Sequence, residues 1–291
     1  MNINRSTTMH IKDMRRDGYM RLDYEPELRL LVEDAVRDWT GFCGLPEVVK
    51  PKIFPYEPDA LVSGNGYEMK IEVGEGLDRK EDFHIRGTVG NTFLEQAQRS
   101  GYPEAVRFVE SALRLPERIA PILNAFAEAA EVEFVIPGFA ADVKACNPSL
   151  LLRFLHYFGD REPGEEIAVP HVDKGGFTLH LYESDEGVQR FTQDSVLENR
   201  RWVSLPVSHK ETVILPAMRL QHRTEGWLKA LCHRVVATET SAQVGRFSAV
   251  CFVDFSGTPY YDKAKHGRLQ EMPAGFNYDL PFLQFKELFT E

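Results

Sequence analysis

After Cys146-Asn147-Pro148-Ser149 the recurrence of apolar residues changes from about every 3.6 positions to every second position. The segments LLRFLHYF, EIAVPH, GFTLHLY, RWVSLPV, ETVILPA, LCHRVVAT and RFSAVCFVDF then follow, divided by Gly, Asp or Pro. Short strands with turns between them cannot build alternating βαβ units, so this half implies an antiparallel barrel or sandwich. The first half reads differently. Leu28, Leu31, Val32, Val36 and Trp39 fall on one helical face, and PEAVRFVESALRL and PERIAPILNAFAEAAEVEF repeat that spacing, each opening on a proline suited to a first turn. GYMRLDY before residue 24 reads as a short strand, and 41–98 shows no dominant period. The expectation is a mainly β protein with a helical N-terminal portion: an α/β portion over 1–148, a strand-rich core over 149–255, and a loop and helix over 256–291 that pack on or cover the core.

Composition narrows the partners. A net charge of −10 leaves no basic excess to neutralise phosphates, so no nucleic-acid partner is expected. Cys43, Cys146, Cys232 and Cys251 show neither a close pair nor a metal-binding spacing, which favours reduced thiols in a cytoplasmic protein. The first twenty residues are charged without an apolar centre, so neither a signal peptide nor a membrane span is expected. A monomer and a homodimer are both compatible with this reading.

The stretch VPHVDKGG carries the chemistry. His171 and Asp173 are two apart on an extended segment and therefore point to one side, where a neutral nitrogen and an anionic oxygen suit a divalent first-row metal without saturating it. A third ligand must come from further along. His180 is tied to the same ribbon, while His209 in PVSHKE and His222 in LQHRTEG lie in turn-like surroundings. His233 sits in the apolar strand ALCHRVVA, where an unpartnered imidazole would be costly, and it is the best third ligand. Lys174, Gly175 and Gly176 read as a turn and not as a phosphate cradle.

Downstream, GRFSAVCFVDF places Arg246 and Ser248 on one face of a strand. An arginine fork with a hydroxyl beside it suits a carboxylate, so the implied ligand has a metal-chelating end and a carboxylate end. 2-Oxoglutarate has that shape.

With HVD at 171–173, HRV at 233–235 and RFS at 246–248 in this order, the chain resembles the iron(II) and 2-oxoglutarate-dependent dioxygenases, in the branch of isopenicillin N synthase and the plant flavonoid and hormone oxygenases. The resemblance covers about 150–255. It implies a double-stranded β-helix, or jelly roll, with Fe(II) held by His171, Asp173 and His233, and with 2-oxoglutarate and O2 as co-substrates. It also implies that Tyr157, in RFLHYF, donates to the oxoglutarate carboxylate at the iron. The family often carries an asparagine two residues before this tyrosine and a proline just after it, where this chain has Leu155 and Phe158. The interval from His233 to Arg246 is a few residues longer than usual, which is expected as a longer hairpin around TETSAQVG. Isopenicillin N synthase uses no 2-oxoglutarate, so retention of Arg246 and Ser248 implies that this chain does use it.

The reaction this implies is oxidation of an unactivated C–H bond of a small molecule, by hydroxylation or by desaturation or cyclisation, with release of succinate and CO2. Tyr67, Lys70, His84, Arg86, Arg153, His180 and Arg219 are the candidates for touching substrate; convergence of several of them would favour an amino acid or other small carboxylate. Competing readings are an oxygenase acting on a peptide or other macromolecule, and a zinc-binding or non-catalytic jelly roll. The aromatic tail with Tyr278, Phe282, Phe285 and Phe289 is expected to cover the barrel mouth as a lid, to pack on the helical portion, or to form a dimer contact.

Overall fold

The computed structural model describes residues 11–59, 63–71, 79–194, 197–207, 210–266 and 279–290. His209 and Tyr278 lie outside the described residues. In chain order the strands are β1 (Met20–Asp23), β2 (Gly66–Ile71), β3 (Arg79–Arg86), β4 (Leu151–Tyr157), β5 (Glu166–His171), β6 (Phe177–Glu183), β7 (Val188–Phe191), β8 (Trp202–Ser204), β9 (Glu211–Pro216), β10 (His233–Val236) and β11 (Arg246–Val253). The longer helices are α1 (Pro26–Cys43), α2 (Gly90–Ser100), α3 (Pro103–Leu113) and α4 (Leu115–Glu133), followed by the short α5 (Phe139–Ala145).

The strands form two sheets. One runs β1-β9-β6-β11-β4-β3-β2 and the other β5-β10-β7-β8, with every paired ladder antiparallel. This is the double-stranded β-helix of the sequence expectation. Three strands of the larger sheet, β1, β2 and β3, come from before residue 148, so the N-terminal portion extends the core sheet as well as covering it.

Alternation along β4 shows why two layers form. Leu152 and Phe154 pack outward into the helical layer, where Trp39 of α1 lies fully buried among Phe42, Phe83, Phe108 and Phe154. Leu155 and Tyr157 turn the other way and join Ile167, Val188, Val213, Val235 and Val250 in a second core shared by the two sheets. The helices form because their apolar residues return every turn: Leu115, Ile119, Leu123, Phe126 and Ala130 of α4 are all buried.

Two features depart from the sequence expectation or extend it. TETSAQVG is not a hairpin loop; Glu239–Val244 forms a short helix because Thr238 caps it, accepting from the Ser241 amide while the Ser241 hydroxyl accepts from the Thr238 amide. In the helical layer, Glu81 accepts from Lys50 Nζ (2.5 Å), Tyr67 Oη (2.6 Å) and a ring nitrogen of His156 (2.9 Å), a buried polar knot joining β2, β3, β4 and the turn of helix Lys50–Ile53.

Candidate active site

His171 closes β5 and His233 opens β10, and the two are directly opposed across the ladder, with ring centroids 4.3 Å apart. Asp173 follows in the loop to β6. One ligand atom from each of His171, Asp173 and His233 lies within 4.8 Å of the others, and His171 Nε2 stands 3.9 Å from Asp173 Oδ1. The remaining atoms of the triad are already committed. His171 Nδ1 bonds the Val169 carbonyl (2.7 Å) and His233 Nδ1 bonds the Leu231 carbonyl (3.1 Å); a carbonyl can only accept, so both Nδ1 atoms carry the proton and both Nε2 lone pairs face the shared point. Thr178 Oγ1 donates to Asp173 Oδ2 at 2.5 Å. The loop itself is held by backbone bonds from the Met218 amide to the Asp173 carbonyl and from the Arg219 amide to the Gly175 carbonyl, both 2.9 Å. At Gly176 a Cβ would stand 2.4 Å from the Val253 carbonyl, so only glycine permits this approach to β11.

The electrostatics suit a cation. Burial would raise the Asp173 carboxyl, but the His233 and His171 imidazoles and the Thr178 hydroxyl hold it below the usual carboxylate range. Burial, reinforced by His171, pushes His233 down to about 4 and keeps it neutral at pH 7, the form that donates a lone pair.

The triad opens onto a cavity of about 470 Å³. Of the sequence candidates, Tyr157, Ser248, Lys70, Arg153 and His180 line it. Arg153 is steadied by Ser63 Oγ at 2.8 Å and lies over the Phe252 ring. Tyr67, His84, Arg86 and Arg219 do not line it. Tyr67 points into the helical layer to reach Glu81, and His84 is buried 3.1 Å from Asp82. Arg86 ties down the carbonyls of Ser63 and Gly64, and Arg219 those of Thr258 and Pro259. His222 is far from a ligand role too, with its ring against Phe282 and Phe289. Those phenylalanines belong to a third apolar cluster with Val172, Met218, Cys232, Tyr261 and Phe285, so the described residues 279–290 pack on the strand core beside the His171–His233 pair.

Sequence reasoning missed Lys80, Lys174 and Lys263, which also line the cavity, and Glu183. Glu183 ends β6 directly opposite Ser248. Its Oε2 accepts from Arg246 Nη2 at 2.6 Å, and its Oε1 contacts both Ser248 Oγ (3.0 Å) and His180 Nδ1 (2.8 Å). Arg246, fully buried, gives its other terminal nitrogen to the Glu186 carbonyl. Arg246 itself is not part of the cavity wall, whereas Glu183 is.

Among the described residues two further clusters bring three ligand-type groups together, Cys43/Glu81/His156 and Glu68/Asp82/His84. In the first, Glu81 is already engaged by Lys50, Tyr67 and His156; in the second, Glu68 pairs with Lys70 and Asp82 lies 3.1 Å from His84.

Residues 146–254 match the model of the 2OG-Fe(II) oxygenase superfamily. Clavatol oxidase of Penicillium crustosum is 32% identical over 123 residues, which cover 40% of this chain; the matched part spans 34% of that relative's length. Among solved structures, a putative 2OG-Fe(II) oxygenase family protein of Caulobacter crescentus superposes with a TM-score of 0.69 at 20% identity, covering 88% of this chain and 83% of that one. Neurospora crassa T7H in complex with alpha-KG gives 0.66 at 18%, covering 94% and 83%, and dioxygenase for auxin oxidation 1 of Arabidopsis thaliana with 2-oxoglutarate gives 0.67 at 16%, covering 88% and 90%. The strand-rich core that carries the two histidines, the aspartate and the buried arginine is therefore the part of the chain that is similar to the 2OG-Fe(II) oxygenase superfamily.

Proposed function

We propose that this protein is an Fe(II)- and 2-oxoglutarate-dependent dioxygenase that oxidises a C–H bond of a small molecule bearing an anionic group. The observation that carries this reading is the donor set: two imidazole Nε2 atoms and one carboxylate oxygen converge at the cavity wall, each side chain fixed from behind by a hydrogen bond. Such a set fits Fe(II) and leaves about three coordination positions for co-substrates, whereas zinc sites usually close at four ligands. When bound, iron and 2-oxoglutarate supply the oxidising chemistry, with succinate and CO2 as the by-products.

The chain's own part is placement. His171, Asp173 and His233 hold the metal on one face, and Tyr157 stands on the neighbouring wall to donate to the oxo acid. The substrate class follows from charge. The whole chain carries −10, yet this one cavity is lined by Lys70, Lys80, Arg153, Lys174 and Lys263 against Asp173, Glu183 and Asp254, a local excess of cations that favours a carboxylate or phenolate. Its volume sits in the usual range of small-ligand pockets, about 300–1,000 Å³, which favours a metabolite over a macromolecule. The similarity to a protein named clavatol oxidase supports small-molecule oxidation in general. Hydroxylation is the primary outcome, with desaturation or cyclisation as its variants.

The test is succinate formation by Fe(II)-reconstituted protein given 2-oxoglutarate and ascorbate in air, against pools of small carboxylates, amino acids and phenols. One pool should stimulate turnover above the uncoupled background, and His171→Ala or Asp173→Ala should return it to background. Full substrate-dependent succinate from Asp173→Ala would overturn the reading, as would zinc retention without oxoglutarate binding.

A further inference from the structure

The residues best suited to hold the distal carboxylate of 2-oxoglutarate are already holding a carboxylate of the chain. Both oxygens of Glu183 are engaged: Arg246 takes one, Ser248 and His180 share the other. The pairing is built deeply. The Arg246 side chain is 0% exposed and that of Glu183 4%, and the other guanidinium terminus is fixed to the Glu186 carbonyl. That carbonyl is presented by the tight turn through Gly187, where φ is +114° and a Cβ would stand 2.2 Å from the Val236 carbonyl. Glu183 forms part of the cavity wall and Arg246 stands behind it. An incoming carboxylate therefore meets the Glu183 carboxylate before it meets the guanidinium.

We propose that Glu183 is a specificity-determining residue for the co-substrate, an internal competitor that occupies the Arg246–Ser248 anchor and that a distal carboxylate must displace. The inference rests on the reading of this cavity as a 2-oxo acid site. A 2-oxo acid that chelates the metal but has no charged tail avoids the competition altogether. One with a distal carboxylate gains the arginine only by breaking a buried, doubly satisfied ion pair, and if Glu183 stays nearby, it repels the newcomer in a medium of low dielectric. Specificity is a difference between affinities, and here the repulsive element falls on the dicarboxylate alone. The preference for 2-oxoglutarate over a short monocarboxylate is thereby compressed.

The experiment is anaerobic calorimetric titration of the Fe(II)-loaded protein with 2-oxoglutarate and, separately, with 2-oxobutyrate, which lacks the distal carboxylate. In the native protein the affinity ratio should be below tenfold; a larger preference for 2-oxoglutarate overturns the proposal. Glu183→Gln keeps the shape and removes the charge, and Glu183→Ala empties the space. Each should raise the ratio at least tenfold, and adding Arg246→Met to either should abolish the gain. An unchanged or lower ratio in a folded, metal-binding Glu183 variant overturns the proposal while leaving the dioxygenase reading intact, because turnover is measured independently. Failure of native and variant proteins alike to bind either oxo acid, with metal bound, overturns both.

Discussion

Thr178 shows how much of this site depends on side chains outside the His171–Asp173–His233 triad. Its hydroxyl holds Asp173 Oδ2, so Oδ1 is the oxygen left toward the imidazoles. Thr178→Val keeps the shape and removes the donor. It should weaken Fe(II) or Co(II) binding by roughly 10- to 100-fold with the fold intact, as read by metal titration beside far-UV dichroism. The triad was legible in the sequence because His-x-Asp is a local spacing and because an imidazole within an apolar strand needs a partner. Glu183 was not, since an acidic residue closing an alternating strand reads as a solvated end; only the register of β6 against β11 sets it opposite Ser248. Charge likewise misled at Arg86 and Arg219, whose guanidinium groups serve backbone carbonyls and not a ligand.

The hairpin of β2 and β3 is where periodicity runs out. RKEDFHIR carries polar side chains to both faces: Lys80 reaches the cavity, while Glu81 enters the helical layer beside Phe83. A strand polar on both sides leaves no alternating signal, whereas the one-sided apolar stripes of α1, α3 and α4 were readable from spacing alone. Glu81 is also what makes the hairpin sensitive to acid. Burial would raise its carboxyl, but donation from His156, Lys50 and Tyr67 brings it down to about 2 from an ordinary 4.5. A carboxyl lowered in the folded state stabilises fully above its unfolded value and loses that contribution as pH falls toward the folded value. Between pH 4.5 and about 2 the protein should therefore lose on the order of 3 kcal/mol from this group alone. Urea unfolding of native protein and Glu81→Gln across that range checks it; the variant's stability should be lower at pH 7 and should fall less toward pH 2.

Metal binding should be felt by the molecule as a whole. His171 and His233 belong to neighbouring strands of the smaller sheet, and Asp173 leads from it into the larger one, so a bound ion fastens both sheets in the native state and has no preformed site in the unfolded chain. At a hundredfold excess over the dissociation constant the gain is about 2.7 kcal/mol, or roughly 4–5 °C in melting temperature for a chain of this size. Mn(II) or Co(II) should produce that rise in the native protein and none in Asp173→Ala. The division of labour between the sheets has another result. His171 and His233 lie at the end of one sheet, and Tyr157, Ser248 and Glu183 lie on the other, so beyond the loop that carries Asp173 into β6 it is packing between the sheets that separates the two walls of the cavity. The gap is set by the thickness of the layer formed by Leu155, Ile167, Val188, Val235 and Val250. These aliphatic side chains work as a spacer gauge, and the span from the histidines to the opposite wall is calibrated by methyl groups that carry no chemistry of their own.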